Sequence, residues 1–188
     1  GYGAAGALVF IDRNPASDSQ QFVRPNIMAV GGLATENGTH GAFGAHLGTW
    51  QDGQLRTLVA IADMDVNLEF FGLGGERNPG DTGLGYSITG KGGVAGGNYR
   101  FGTSPWWLGL RYTQVDTRVS FDVEDAGLMP NDRDLLLVAL TPSLTLDMRD
   151  NFFTPTSGWY VDLSVPVYRE SLGGDRDFET LTLTAMHY

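Results

Sequence analysis

The sequence predicts an all-β fold, an antiparallel up-and-down transmembrane β-barrel, on three observations. Apolar and polar residues alternate with period two over strands of about 10 to 15 residues, whereas soluble strands average about five or six and tilted membrane strands need about 9 to 11. Glycine is abundant, at 27 of 188 residues, and Phe, Trp and Tyr together make up 11%. Long polar connections alternate with short ones, as in outer-membrane barrels.

The composition argues against several classes of protein. The formal net charge of −10 disfavours nucleic acid as a partner, because a phosphate backbone requires a cationic surface. The chain contains no cysteine, which excludes disulfide bonds and thiolate metal sites. Apolar runs such as LLLVAL, at 135–140, are far too short for a membrane-spanning helix.

The first element raises the question of a nucleotide site, because Gly1, Gly3 and Gly6 have the spacing of a dinucleotide-binding fingerprint. That motif requires a strand before the glycines and a helix after them. No strand precedes Gly1, and the residues that follow form a short β-branched and aromatic run that ends in a turn at 12–15. We therefore interpret these glycines as part of the first strand, where their role is steric.

The remaining elements follow from the same alternation. The stretch 55–71 alternates without a break, but as one strand it would run to about 55 Å, nearly twice the hydrocarbon thickness. A hairpin at Asp63, Met64 and Asp65 is therefore predicted. This gives ten strands, at roughly 3–12, 23–35, 39–50, 54–62, 66–73, 85–102, 106–121, 134–149, 158–170 and 178–188.

The eighth predicted strand has the clearest division between its faces. Its even positions, 136–148, are all apolar and are expected to meet lipid, whereas Thr141, Ser143, Thr145 and Asp147 are expected to face the lumen. Connection length further predicts that GTSP, at 102–105, and FFTPTS, at 152–157, are periplasmic. The long connection DVEDAGLMPNDR, at 122–133, is expected outside.

A family resemblance rests on one motif and on three flanking segments. The motif consists of Asp147, Arg149, Asp150, Asn151, Pro155 and Gly158, followed by Leu172, Gly173, Asp175 and Phe178. The flanking segments are RPNIMAVGGLATENGT (24–39), FFGLGG (70–75) and YRFGTSPWWLGLRY (99–112). In this order they resemble the BamA/TamA superfamily of outer-membrane assembly barrels, also called the surface-antigen family.

The resemblance implies that residues 1–188 form one outer-membrane β-barrel domain, the first ten strands of a sixteen-stranded barrel that is incomplete at its C-terminus. It implies a multi-pass protein of the bacterial outer membrane that assists insertion, assembly or translocation of other outer-membrane proteins. The implied partners are outer-membrane lipids, client outer-membrane proteins and periplasmic partner domains. The V-R-G-F-type motif of the family is missing from this sequence. The alternative is a small self-contained barrel that acts as a pore, adhesin or structural scaffold.

Two sets of residues are candidates for function. If the first strand is one side of the barrel seam, it would pair with a client strand through Gly3, Ala4, Ala5, Gly6, Ala7, Leu8, Val9 and Phe10. The second set comprises the motif residues and four charges that strand phase assigns to the lumen: Glu69, Arg100, Arg111 and Asp162. The motif charges are either a functional cluster at the periplasmic rim or a structural ion pair within a turn.

No catalytic chemistry is expected. The sequence offers no Ser-His pair with an orienting third group and no close carboxylate pair in matched phase. His40 and His46 are predicted to lie on one strand with both side chains inward, about 20 Å apart and too distant to share a metal. We therefore expect neither an enzyme, nor a cofactor, nor a metal site.

Overall fold

The protein forms a single antiparallel, up-and-down sheet, which confirms the all-β prediction. A computed structural model describes residues 1–12, 24–70, 84–121 and 133–188. Among these residues, no helix has the length and apolar character to cross a membrane. Most of FFGLGG and nearly all of DVEDAGLMPNDR lie outside the described residues.

Eleven strands follow one another along the chain. They are β1 (Gly3–Asp12), β2 (Asn26–Thr35), β3 (His40–Trp50), β4 (Leu55–Phe70), β5 (Leu84–Arg100), β6 (Trp106–Phe121), β7 (Arg133–Asp147), β8 (Trp159–Ser164), β9 (Val167–Tyr168), β10 (Phe178–Glu179) and β11 (Thr182–His187). A short 3-10 turn, Glu170–Leu172, lies between β9 and β10.

The last four strands are two long strands, each interrupted once. Ser164 lies opposite Ser143 on β7, and Val167 lies opposite Leu140, so β9 continues β8 in an unchanged register. Pro166 stands in the interruption, where its missing N–H removes a ladder donor. The pairings of β11 with β8 and of β10 with β9 likewise share one register. The sheet therefore contains nine long strands, in the order β1 to β8 and then β11.

The predicted hairpin at Asp63, Met64 and Asp65 is wrong. β4 is continuous over 16 residues, and Asp63 pairs with Lys91 of β5 while Asp65 pairs with Thr89. The length limit imposed by a bilayer applies only to apolar outward positions, and on β4 these stop at Ile61. Beyond Ile61 the outward side chains are polar, so the strand continues past the apolar region.

The sheet has two faces that differ in burial. The inner face is defined here by Trp107, Thr141 and Thr145, which are 2%, 3% and 8% exposed. The outer face carries Leu108, Leu140 and other apolar side chains that are open to the surroundings. Soluble sheets place their apolar face inside. In this sheet Thr141 and Thr145 of β7 are buried, whereas Leu140 and Leu144 are exposed.

The sheet curls around its inner face. Arg24 precedes β2 and Phe152 follows β7, five strand positions apart, which in a flat sheet would separate them by about 24 Å. The Arg24 guanidinium nevertheless lies 5.1 Å from the centroid of the Phe152 ring. The inner face is therefore concave at this end, and the connection between β7 and β8 folds over it.

Many of the exposed apolar side chains form a band across the outer face. At one end the band carries Trp50, Trp106 and Trp159, and we call this the tryptophan end. Towards the opposite end it stops at a charged row formed by Asp63, Lys91 and Asp116, which are neighbours in register. From Trp106 to Asp116 the strand rises about 33 Å, which a tilt of about 40° reduces to about 25 Å, the height typical of membrane barrels.

The sheet has two edges and is not closed as a barrel in the described residues. β1 pairs only with β2, and β11 pairs only with β8. β1 and β11 are the first and the ninth long strands of the antiparallel sheet. They therefore run in the same direction, both towards the tryptophan end. An all-antiparallel closure therefore requires an odd number of intervening strands, whichever polypeptide supplies them.

The continuity of β4 also changes which connections share an end. The short turn at 36–39 lies beside Asn67, at the opposite end from Trp50 and from the short connection GTSP. Asp12 and Arg24, which flank 13–23, lie at the tryptophan end together with the connections at 101–105 and 148–158. The predicted separation of long and short connections between the two ends is therefore only partly correct.

Candidate functional site: an arginine cluster on the inner face

A cleft of about 300 Å³ lies on the inner face at the tryptophan end. Consecutive strands supply its walls from their inward-facing positions at this end: Arg56 from β4, Arg100 from β5 and Trp107 from β6. Asp147 at the end of β7 completes this row. The irregular segments add Arg24, before β2, and Arg149 and Phe152, after β7.

One carboxylate binds two of the arginines. The Arg149 guanidinium donates to Asp147 through Nε at 2.8 Å and through Nη2 at 3.0 Å, the bidentate geometry that is strongest for such pairs. Arg56 Nη1 lies 3.4 Å from the second Asp147 oxygen. The Asp147 and Arg149 side chains are only 10% and 11% exposed. Removing Asp147 would leave two cations with reduced compensation, so the carboxylate is a structural anchor of the cluster.

Aromatic rings hold the guanidinium groups in place. Arg56 lies 3.8 Å and Arg100 lies 5.1 Å from the Trp107 ring centroid. Phe152 contacts Arg24 at 5.1 Å and Arg149 at 5.2 Å. Contacts of this kind attract the cation to the ring face and leave its N–H edges free to meet acceptors.

The positive charges of Arg24 and Arg100 are less well compensated than those of Arg56 and Arg149. Arg24 Nε and Arg100 Nε are buried and have no hydrogen-bond partner among the residues that the structure describes. Burial lowers the pKa of the Arg24 guanidinium, whereas the hydrogen bonds to Asp147 raise that of Arg149. The arrangement presents cationic donors to the cleft, and such donors bind anions.

The residues of the motif singled out in the sequence divide between this cluster and a turn. Asp147 and Arg149 belong to the cluster. Asp150 accepts from the backbone N–H groups of Thr156 and Ser157 at 2.9 and 3.2 Å. Asn151 accepts from the backbone N–H groups of Phe153 and Thr154, and Pro155 lies within the same segment. These residues build the connection between β7 and β8.

Gly158 ends this turn with φ of +110°, and an added Cβ would collide with the carbonyl oxygen of Met148. Only glycine fits such a position without strain. In the second half of the motif, Gly173 follows the 3-10 turn with φ of +99°. Asp175 accepts from the Leu136 N–H at 2.6 Å and so fastens the β9–β10 connection to β7. The motif therefore has a structural role at both places.

The four predicted lumen charges do not share one face. Arg100, Arg111 and Asp162 lie on the inner face, where Asp162 accepts from the Thr145 hydroxyl at 2.6 Å. Arg111 and Asp162 line a second cleft of about 210 Å³, which neighbours the arginine cluster. Glu69 lies on the outer face, in phase with Asp63 and beyond the apolar band.

The predicted pairing edge is separate from the cluster. All residues of β1, including Gly3 to Phe10, are exposed, and none of them lines the cleft. One side of β1 is paired with β2 along its full length. Gly31 of β2 allows this close approach, because an added Cβ would lie 2.8 Å from the Gly6 carbonyl oxygen. The structure thus places two candidate sites at different positions in the sheet.

Sequence reasoning missed most of the cluster, namely Arg24, Arg56, Trp107 and Phe152. Arg56, Arg100 and Trp107 share the inward phase at matching ends of neighbouring strands, and this signal could have found them. The contribution of Arg24 and Phe152 depends on the curvature of the sheet, which the sequence does not display.

Metal ligands do not cluster in the described ranges, where no group of three or more His, Asp or Glu side chains could hold an ion. His40 and His46 lie on the outer face, contrary to the inward assignment, because His40 pairs with Asp65 and His46 with Val59. The His46 ring lies 6.2 Å from the Trp50 ring.

In comparisons with known proteins, the chain matches no protein-family profile, no curated protein and no solved structure. In its described residues the structure defines an all-β protein built on one open, antiparallel, up-and-down sheet.

Proposed function

We propose that the chain is an outer-membrane β-barrel protein of the BamA/TamA type, which assists the insertion, assembly or translocation of other outer-membrane proteins. In this proposal β1 pairs with a strand of the client. The observation that carries it is the free edge of β1, whose ten residues are all exposed and which has β2 as its single partner in the described chain. The chain has no catalytic role in this proposal.

A membrane location is supported by the distribution of side chains between the faces. Leu108, Leu110 and Leu144 of the outer face are 58%, 53% and 42% exposed. Together with neighbouring apolar residues they form a band of bilayer height with tryptophans at one end. The solvent that suits this face is lipid, and the concave inner face, with its buried Thr141 and Thr145 and the arginine cluster, provides the lumen.

The properties of β1 suit a strand that exchanges partners. In lipid, each unpaired backbone N–H or C=O group costs several kcal/mol, so the free edge must be paired. The side chains of Gly3, Ala4, Ala5, Gly6 and Ala7 are small and contribute little packing to a permanent closure. Main-chain hydrogen bonds would then dominate the pairing, and these read no particular side chain.

The direction of β1 defines the orientation of the incoming strand. β1 runs towards the tryptophan end, so an antiparallel partner runs away from it. Seven strands between β11 and β1 would complete the sixteen-stranded barrel that the family resemblance implies, and seven satisfies the requirement for an odd number. A client strand at this seam would be held temporarily in place of the closing strand.

The test is site-specific crosslinking in cells. Cysteines at Ala5 and Ala7 should form disulfides with a stalled client strand that carries cysteines at matching positions. A cysteine at Ala60 is the matched control, because Ala60 also faces inward but its strand is paired on both sides, with Ala45 and Val94. Crosslinking only to a strand of the same protein, with assembly unaffected when that seam is locked, would exclude the seam as the client site.

The second candidate function is a self-contained barrel that acts as a pore, adhesin or scaffold. The arginine cluster favours a pore, because charged inward side chains tune the selectivity of a barrel lumen. The intact mass of the native gene product separates the two functions. A product about twice as long as this chain supports the assembly barrel, and one of this length supports the small barrel.

A further inference from the structure

We propose that the arginine-lined cleft is a binding site for a phosphate group. This inference does not depend on the pairing of β1, because the cleft and the β1 edge share no residue. Four arginines line the cleft, and each contributes a guanidinium group that can donate several hydrogen bonds.

The first argument is charge. Asp147 is shared by Arg56 and Arg149, whereas Arg24 and Arg100 have no carboxylate within ion-pair distance among the described residues. Asp52 and Asp150 also line the cleft, but both are exposed at its mouth. The oxygens of Asp150 are occupied by Thr156 and Ser157. Two partly buried cations therefore remain for a ligand, and a phosphate dianion matches that charge.

The second argument is hydrogen bonding. Arg24 Nε and Arg100 Nε are buried donors without partners among the described residues, and burying a charged donor unsatisfied is costly. A tetrahedral oxyanion offers several acceptors in a small volume and can meet donors that converge from different strands. The cleft, at about 300 Å³, has room for a phosphate group and a small substituent but not for a nucleic-acid chain.

The third argument is preorganisation. Trp107 is 2% exposed and fixes Arg56 and Arg100, while Phe152 fixes Arg24. Side chains that are already ordered lose little conformational entropy when a ligand binds. The arginine planes are thus held before the ligand arrives, which distinguishes this cleft from surface arginines that must be ordered on binding.

The experiment measures binding of inorganic phosphate to the full chain refolded in detergent micelles, by calorimetry at constant ionic strength with chloride as the competing anion. Arg24→Gln and Arg100→Gln should each weaken binding by about tenfold or more, as expected for loss of a hydrogen bond to a charged group. Arg118→Gln is the matched control, because Arg118 pairs with Asp134 on the outer face. It should leave phosphate binding unchanged.

Arg24→Lys and Arg100→Lys keep the positive charge. They serve as controls that distinguish a loss of phosphate binding from a loss of folding. They should refold as the wild type does but bind phosphate more weakly, because lysine lacks the planar fork. Phosphate binding no tighter than chloride binding, or equal binding by the glutamine variants and by Arg118→Gln, would overturn the proposal.

A second ligand identifies the source of the phosphate. Dihexanoyl phosphatidic acid, used below its micelle-forming concentration, carries the same group on a short lipid. Binding about tenfold tighter than that of inorganic phosphate would assign the site to a lipid headgroup. Equal affinities would assign it to soluble phosphate, and either result supports a phosphate site.

Discussion

Leu140 and Thr141 are neighbours on β7 with opposite surroundings, since Leu140 is 37% exposed and Thr141 is 3% exposed. Strand geometry sends their side chains to opposite faces, so this pair shows how β7 divides between the two faces of the sheet. The apolar side chain is outside and the hydroxyl is inside.

The first prediction concerns the outer face. Leu140→Arg should hinder folding into lipid vesicles by about 2–4 kcal/mol, the cost of an arginine near the middle of a lipid-facing band. Thr113→Arg is the matched control, because Thr113 lies at the same level but faces inward, beside Ala139 and Val94. The measurement is the yield of folding into lipid vesicles over a series of urea concentrations. Equal losses for the two variants would contradict a lipid-facing outer side.

The second prediction concerns topology. A cysteine at Ser171 and one at Glu36 should both react with a membrane-impermeant reagent on intact cells, whereas a cysteine at Thr103 should not. Ser171 and Glu36 share the end remote from the tryptophans because β4 is a single strand. Labelling of Thr103 in place of the other two would invert the orientation. Labelling of Glu36 together with Thr103 would require a break in β4.

The third prediction compares two glycines with positive φ. Gly158→Ala should destabilise the protein by more than the roughly 1–2 kcal/mol expected for a left-handed backbone alone, because its Cβ also meets the Met148 carbonyl oxygen. Gly173→Ala has the same backbone strain, but no atom lies within 4 Å of its Cβ. Urea midpoints of the two variants in detergent should therefore rank Gly173→Ala above Gly158→Ala, and the reverse order would refute the collision.

The fourth prediction concerns pH. Hydrogen bonds from Thr156 and Ser157 lower the pKa of Asp150 well below its ordinary range. A carboxyl whose pKa is depressed on folding stabilises the fold above its unfolded pKa, near 3.9, and loses this contribution only as the pH falls through the folded value. The turn should therefore remain ordered from pH 7 to about pH 4.

Amide hydrogen exchange tests this assignment. Asp150→Ala should accelerate exchange at Thr156 and Ser157, because the N–H groups of both residues donate hydrogen bonds to the Asp150 carboxylate. Asn151→Ala, the neighbouring control, should instead accelerate exchange at Phe153 and Thr154. A loss of protection between pH 6 and pH 4 in the wild type would show that the carboxyl is not held in its ionised form.

Much of the sheet could be predicted because alternation is a local property. The predicted strands 3–12 and 106–121 agree with β1 and β6, and the inward and outward phases of β7 agree with the exposure of Leu140 and Thr141. β4 could not be divided correctly by pattern alone. Its inward positions stay apolar through Leu68, and only the outward row, which changes character after Ile61, marks where the band ends.

The cluster was less predictable because it depends on curvature. Arg149 and Asp147 are close in sequence, and their pairing was an expected alternative. Arg24 and Phe152 are brought together only because the sheet curls through five strand positions. A pattern of inward residues indicates what can face the interior, but it does not show which distant inward residues will touch.

The uneven lengths of the ladders have a mechanical consequence. β4 and β5 pair over sixteen residues, whereas β8 and β11 pair over six, with Pro166 beside their short ladder. Under a pulling force applied at Tyr188, rupture should begin at β11 and proceed hairpin by hairpin towards the long central ladders. The force needed to unfold a hairpin should therefore rise from the β8–β11 edge towards the central strands. A force-extension trace would record this as successive unfolding peaks of rising force.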